Sequence, residues 1–311
     1  MIKKTVYFGN PAYLSLKNNQ LVIKIPAVEK SKEFTESFKE ESTRRIPIED
    51  IGILILDHKQ ITLTHALMEK LLEHNCALIT CDSKRMPTGL LLPLTGNSIQ
   101  TERYRYQIEA SIPLKKQLWQ QTVEAKIGNQ AHVLSRTTGI TTKKMERWQR
   151  TVKSGDSDNH EAQAAVYYWA NLFPKIDSFV RNRDGIPPNN LLNYGYAILR
   201  ATVARALVAS GLLPSLGIHH RNKYNAYCLA DDIMEPYRPF VDLVVIELMH
   251  KTSDISTITQ DHKCHLLSIP TLDVIIQEKR SPLMIAVQQT TASLAQCYMG
   301  ELRRIKYPTF I

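Results

Sequence analysis

Over residues 1–100 the apolar positions come in short alternating or continuous runs, the pattern of β-strands. Segments 5–8, 13–16 and 21–25 are β-rich, and Lys17-Asn18-Asn19-Gln20 between the last two predicts a hairpin turn. Residues 27–45 are mostly Lys, Glu, Ser and Thr, which predicts a mobile surface loop. The strand pattern returns over 46–56. Thr62 or Thr64 then caps a helix running to about Glu73, with Leu67, Leu71 and Leu72 on one side, and 77–80 is a short apolar strand.

From Glu102 onward the apolar period changes to that of helices. The expected helices lie near 103–109, 113–135, 141–151, 159–172, 189–210, 223–234, 237–251 and 282–304. Pro187-Pro188 breaks the chain before the fifth and Pro214 follows it. Pro236 either kinks a helix or opens a new one, which would put Glu235 at a cap. The expected class is therefore α+β: a small β-rich N-terminal domain over 1–100, then a larger all-α domain over 101–311.

Composition narrows this reading. With 43% hydrophobic and 22% charged residues the 311-residue chain matches a soluble globular protein with ample core. No run approaches a membrane span, and Met-Ile-Lys-Lys leads into a strand pattern, so a cytoplasmic protein is expected. Five scattered cysteines without a Cys-x-x-Cys pair argue for reduced thiols and against a structural zinc. The net charge of +9 suggests a polyanionic partner.

Candidate chemistry concentrates between Gly217 and Asp242, where His219, His220, Asp231, Asp232 and Glu235 stand among Arg221, Lys223 and Arg238. Glu161 opens an upstream helix. Imidazole and carboxylate donors amid cations suit a metal-dependent phosphodiester enzyme. Carboxylates beside arginines usually form surface ion pairs, and adjacent histidines often include one that packs or caps, so spacing alone favours a structural cluster over a metal site.

Four ordered stretches carry a family resemblance. The first runs from Ile46-Pro-Ile-Glu-Asp-Ile-Gly through Asp57-His58, Thr80-Cys81-Asp82 and Pro87-Thr88-Gly89. The second is Lys126-Ile-Gly-Asn129-Gln130, and the third His160-Glu161-Ala-Gln-Ala-Ala165 with Tyr168-Trp169. The fourth joins Asn193-Tyr-Gly-Tyr196, Gly217-Ile-His-His220 and Asp231-Asp-Ile-Met-Glu-Pro-Tyr-Arg238, with an Arg280-Ser-Pro-Leu-Met helix following. Together they resemble the CRISPR spacer-acquisition integrases, the Cas1 family, in the compact form of type II systems.

The resemblance implies Glu161, His220 and Glu235 as ligands of Mg²⁺ or Mn²⁺, with Asp232 as a further acidic group beside the site. It selects His220 over His219, because the family histidine stands three residues after the glycine. Ala162 replaces the usual glycine after the first metal glutamate. The resemblance further implies a homodimer joined through the N-terminal domain, assembled with a Cas2 dimer and with other type II CRISPR proteins as possible partners. Double-stranded DNA is the substrate, as spacer precursor and as CRISPR repeat, joined by attack of 3′-hydroxyls on repeat phosphodiesters. Arg200, Arg221, Lys223 and Arg238 are the expected phosphate contacts, and Lys143, Lys144, Arg147 and Arg150 form a second basic face. The competing readings are a metal-dependent nuclease on branched DNA, with water as nucleophile, and a non-catalytic DNA-binding scaffold. A zinc hydrolase lacks support, since no His-Glu-x-x-His motif is found.

Overall fold

Asn18 and Asn19 both take left-handed backbone (φ 50° and 56°). Two such residues in succession make the turn whose twist matches a β-hairpin, and asparagine tolerates it. They join β2 (Ala12–Lys17) to β3 (Gln20–Lys24) in the computed structural model, which describes residues 2–252 and 254–311. The chain divides into two units, Met1–Gly96 and Asn97–Ile311.

In the first unit β1 (Lys4–Phe8) precedes this hairpin, and α1 (Pro26–Lys30), α2 (Glu36–Glu41) and β4 (Arg44–Pro47) follow it. Then come β5 (Ile51–Leu56), β6 (Ile61–Leu63), α3 (His65–Glu73), β7 (Ala77–Cys81) and β8 (Pro87–Leu91). One four-stranded sheet has the order β1-β5-β7-β8, parallel except for β8; the other has the order β4-β3-β2-β6. Leu14, Leu21, Ile51 and Leu54 from the strands pack on Leu67 and Leu71 of α3, so the alternating pattern of 1–100 is the inner face of the sheets. Residues 27–45 are not the loop expected. They hold two short helices, the second capped by the Thr35 hydroxyl accepting from the Phe38 N–H at 3.3 Å. Phe34 stacks on Phe38, 4.7 Å between ring centres.

The second unit contains α4 (Gln100–Glu109), α5 (Ile112–Thr138), α6 (Lys143–Thr151), α7 (His160–Leu172), α8 (Asn189–Ala209), α9 (Cys228–Met234), α10 (Arg238–Lys251), α11 (Gln260–Leu266) and α12 (Leu283–Tyr298). α8 is apolar nearly all round and buried through Ala201–Val208, as befits a central helix. At Gly195 a Cβ would come within 2.5 Å of Val241 Cγ1, so the glycine sets how closely α10 can lie on α8. The helical domain is not wholly α. β9 (Asp273–Ile276) and β10 (Lys279–Pro282) form a hairpin whose turn, Gln277-Glu278, has φ of 50° and 63° without the usual Asn or Gly.

Two helix ends also differ from expectation. Over 223–227 the backbone is turned, because the side-chain oxygens of Asn222 and Asn225 accept from the N–H groups of Tyr224 and Tyr227 at 3.0 and 2.9 Å. α9 therefore begins only at Cys228. Gly300, at φ 78°, follows the end of α12 well before residue 304. No helix among the described residues is long and apolar enough to cross a membrane.

One buried carboxylate ties three helices together. Asp242 of α10 accepts from the Tyr168 hydroxyl of α7 at 2.9 Å and the Tyr196 hydroxyl of α8 at 2.5 Å. Burial raises its pKa from 3.8 to about 6, against the tyrosine hydrogen bonds and Arg238, which lower it. A carboxyl that holds its proton more tightly when folded stabilises the fold most below its unfolded pKa, and that contribution fades as pH rises to about 6. Asp242→Asn carries no such ionisation cost. Its stability relative to wild type should therefore improve by up to about 3 kcal/mol between pH 4 and pH 7.5, whatever fixed offset the amide introduces. Urea denaturation of both proteins across that range checks this; a difference independent of pH would refute it.

Candidate active site

α5 turns Thr122, Lys126, Asn129 and Gln130 into the interior, and buried polar groups need partners. The Asn129 amide donates to the carbonyls of Pro236 (2.8 Å) and Pro308 (3.1 Å). It thereby fastens to α5 the 3-10 turn Glu235–Tyr237 that joins α9 to α10. Lys126, one turn earlier, places its ammonium between two carboxylates from different elements. It hydrogen-bonds Glu161 Oε1 and lies 2.5 Å from Glu235 Oε2. The second contact is an ion pair without an aligned N–H, so Glu235 Oε2 is buried with no hydrogen-bond donor among the described residues.

The backbone of Glu161 and the carboxylate of Glu235 are each held by a further group. Glu161 sits in the first turn of α7, where the Asp156 carboxylate accepts from the N–H groups of His160 and Glu161, both at 2.9 Å. Asp156 thus does the capping, since Asn159 at the cap position is left-handed and makes no side-chain cap. Glu235 Oε1 accepts from Arg238 Nε at 2.8 Å, and that guanidinium lies 4.7 Å from the centre of the Tyr196 ring. Burial alone would raise the Glu235 carboxyl. Arg238 and Lys126 outweigh it and bring its pKa down to about 2. For Lys126 burial alone would lower the pKa, and Glu235 with Glu161 more than reverses that. Glu235 and Lys126 are both charged at neutral pH.

The third residue expected at the site comes from the loop before α9. Asp232, fully buried, accepts from the N–H groups of His219 (2.9 Å) and His220 (3.3 Å) and contacts His220 Nδ1. A side chain at Gly217 would strike both the His220 carbonyl and Asp232 Oδ2, which explains the glycine three residues before this histidine. His219 stacks flat on buried Trp119, 4.1 Å between ring centres, while the His220 ring meets the same indole edge-on at 5.6 Å. The hydrogen bond to Asp232 raises the His220 pKa, opposed by burial; burial lowers that of His219. His219 packs. His220, half exposed, keeps Nε2 open.

The four expected phosphate contacts separate into two kinds. Arg200 pairs with Asp231 at 2.7 Å, and Asn225 donates to the other Asp231 oxygen at 2.7 Å. Arg238 is engaged by Glu235 and Tyr196 as described. Arg221 and Lys223 lie on the exposed loop after His220, lining a cavity of about 600 Å³ with Lys115, Gly217, His220 and Tyr224. Tyr224 is 84% exposed, with the Lys223 ammonium 4.9 Å from its ring centre.

Among the described residues no three His, Cys, Asp or Glu side chains stand closed around one centre; the Lys126 ammonium has the place between Glu161 and Glu235. The donor set nonetheless fits a divalent ion. Two carboxyl side chains, one with a buried oxygen lacking a hydrogen bond, and an imidazole whose Nδ1 is held by a carboxylate are ligands that Mn²⁺ or Mg²⁺ accepts. Sequence reasoning gave Lys126, Asn129 and Asp156 no role. The available signal was polar Thr122, Lys126, Asn129 and Gln130 at helical spacing in an otherwise apolar helix.

The chain was compared with known proteins. The family model described as "CRISPR associated protein Cas1" matches residues 6–269. A CRISPR-associated endonuclease Cas1 of Neisseria meningitidis serogroup C is 35% identical over 94% of this chain and 91% of its own. Among solved structures, a casposase bound to integration product superposes with a TM-score of 0.74 at 20% identity, covering 98% of this chain and 92% of that one. A chain of a Cas6-RT-Cas1–Cas2 complex gives 0.72 at 19% identity, covering 97% of this chain and 35% of that one. The two structures share the fold.

Asp232 holds three donors of the His219-His220 segment from a fully buried position. Asp232→Ala should cost about 3 kcal/mol, since those groups lose their acceptor in the interior. Urea denaturation at neutral pH measures it, and a loss below about 1 kcal/mol would mean the loop is held by other contacts.

Proposed function

The chain belongs to the Cas1 family, and from that premise and the geometry around Lys126 we propose that it is a metal-dependent DNA integrase of CRISPR adaptation. The observation that carries this reading is Lys126 joining Glu161 to Glu235, both within electrostatic reach of His220, whose loop carries Arg221 and Lys223 beside a groove. Glu161, His220 and Glu235 would hold Mg²⁺ or Mn²⁺. When bound, such an ion polarises a phosphate and makes a hydroxyl a better nucleophile.

The chain's own residues do the positioning. Asp232 fixes the His220 ring so that Nε2 faces outward, and Asp156 pins the backbone beneath Glu161. Asn129 and Arg238 hold Glu235 from two sides. Arg221 and Lys223 draw the phosphate backbone to His220. A 3′-hydroxyl of the short DNA fragment attacks a phosphorus of the repeat. One P–O bond forms, one breaks, and the departing 3′-oxygen takes a proton. The number of phosphodiesters is unchanged, so no nucleotide need be hydrolysed.

The casposase structure in its complex with an integration product supports joining, and the Cas6-RT-Cas1–Cas2 complex supports a Cas2 partner. The Neisseria relative's name, an endonuclease, favours water as an alternative nucleophile at the same residues. We further propose a homodimer joined through the N-terminal unit and acting in the cytoplasm beside other CRISPR proteins of a type II-like system.

A labelled duplex with free 3′-hydroxyls, a supercoiled plasmid bearing a CRISPR repeat, Cas2 and Mn²⁺ or Mg²⁺ together test the reading. Joined product should form with wild type and fall more than about a hundredfold in Glu161→Ala and in His220→Ala, given the several kcal/mol such an ion supplies. Cutting without joining would establish the nuclease; binding without any metal-dependent strand change would leave a scaffold.

Arg221→Ala and Lys223→Ala should each reduce the slope of log affinity against log salt by about one, with folding intact. Fluorescence anisotropy with duplex DNA from 50 to 300 mM salt measures this. An unchanged slope would place the DNA elsewhere.

A further inference from the structure

The Lys126 ammonium occupies the position between Glu161 and Glu235 that a divalent ion bridging those carboxylates would need. A carboxylate buried as Glu235 is repels a second one held beside it, such as the partly exposed Glu161, unless a cation lies with them. Glu161 and Glu235 reach this point from separate elements, α7 and the turn after α9, so nothing in the local chain obliges them to meet. Lys126 is buried, comes from a third element and touches both. A lysine stem is flexible, whereas Arg238 holds the Glu235 carboxylate, Asn129 the turn that bears it, and Asp156 the backbone beneath Glu161. Arg238 touches only the Glu235 oxygen facing away from this point, so it can stay when another cation enters.

We propose that Lys126 is a resident counter-cation of the metal site, holding Glu161 and Glu235 together in the metal-free protein and leaving when a divalent ion enters. The inference rests on the metal-site reading given above. Lysine and metal are then competing ligands of one anionic site, and competition has two measurable sides. Removing the lysine loosens the metal-free protein, because the carboxylates lose their counter-charge. The same change tightens metal binding, because no cation has to be displaced. A lysine that merely braced the site would give the opposite second effect, a weaker metal.

Mn²⁺ binding followed by electron paramagnetic resonance, with melting temperatures in EDTA and in Mn²⁺, distinguishes these. Lys126→Gln should bind Mn²⁺ about tenfold more tightly than wild type and melt lower in EDTA, with Mn²⁺ restoring most of the loss. Lys126→Met, which keeps the buried stem, should behave alike and serves if the glutamine variant fails to fold. Lys126→Arg keeps the charge and should bind no more tightly than wild type. Equal or weaker Mn²⁺ binding by a folded Lys126→Gln or Lys126→Met would overturn the proposal. Wild type that binds no Mn²⁺, or binds it as well after Glu161→Gln, would instead overturn the metal-site reading on which it rests.

Discussion

Two carboxylates meet inside or at the edge of a protein core only if a proton or a cation offsets their repulsion, and in the helical unit the ammonium of Lys126 lies between them. Desolvating three ionic groups costs several kcal/mol each, which their mutual attraction must offset through good geometry. The surrounding structure supplies that geometry. α5 carries Lys126 and Asn129 one turn apart, so the helix that provides the cation also grips the turn presenting Glu235. α7 supplies Glu161 from its first turn, where the helix terminus and Asp156 favour a fixed backbone. The arrangement is a poor way to gain stability and a good way to hold two negative oxygens at a chosen separation.

The same logic orders the outer groups. Arg238 neutralises the back of Glu235 and rests on Tyr196, whose hydroxyl is held by Asp242. A continuous run of contacts thus links Asp242 through an aromatic ring and a guanidinium to the central carboxylate. Every member of that chain lies on α8, α10 or the turn before it, the helices that Gly195 lets pack closely. Arg221 and Lys223 differ in kind. No carboxylate pairs with either among the described residues, and they stand on a loop stiffened by Asn222 and Asn225. Cations committed to the interior set the site's field, and cations on the loop are left for a polyanion.

How much of this was legible in the sequence depends on whether the cause was local. The Asn18-Asn19 hairpin, α3 and the long helices follow from turn chemistry and apolar period, which act within a few residues. The segment 27–45 looked like a loop because its two helices have almost no apolar face; a Thr35 cap and one Phe34–Phe38 stack suffice to form the second. The β9–β10 hairpin was hidden because Gln277 and Glu278 adopt left-handed backbone that those residue types rarely take. At the site, spacing marked Glu161, His220 and Glu235 as possible donors, and family resemblance singled them out. The partner of the two glutamates was out of reach. The stretch Lys126–Gln130 carried part of the family resemblance but no role, and only the packing of α5 against α7 and the 235–237 turn makes its lysine central.

That asymmetry has a physical root. Donor residues are recognisable by type, because few side chains offer an imidazole nitrogen or a carboxylate oxygen. The groups that set the charge and position of the two glutamates are ordinary: an asparagine amide and a lysine. What distinguishes them is burial, and burial is decided by helix packing between segments more than thirty residues apart. Lys126 and Glu161 are separated by 35 positions, Asn129 and Pro236 by 107. In this protein the identity of the donors lies in single residues, while their competence depends on three helices arriving at the same point. A substitution in the packing face of α5 can therefore disable the site while leaving Glu161, His220 and Glu235 in place.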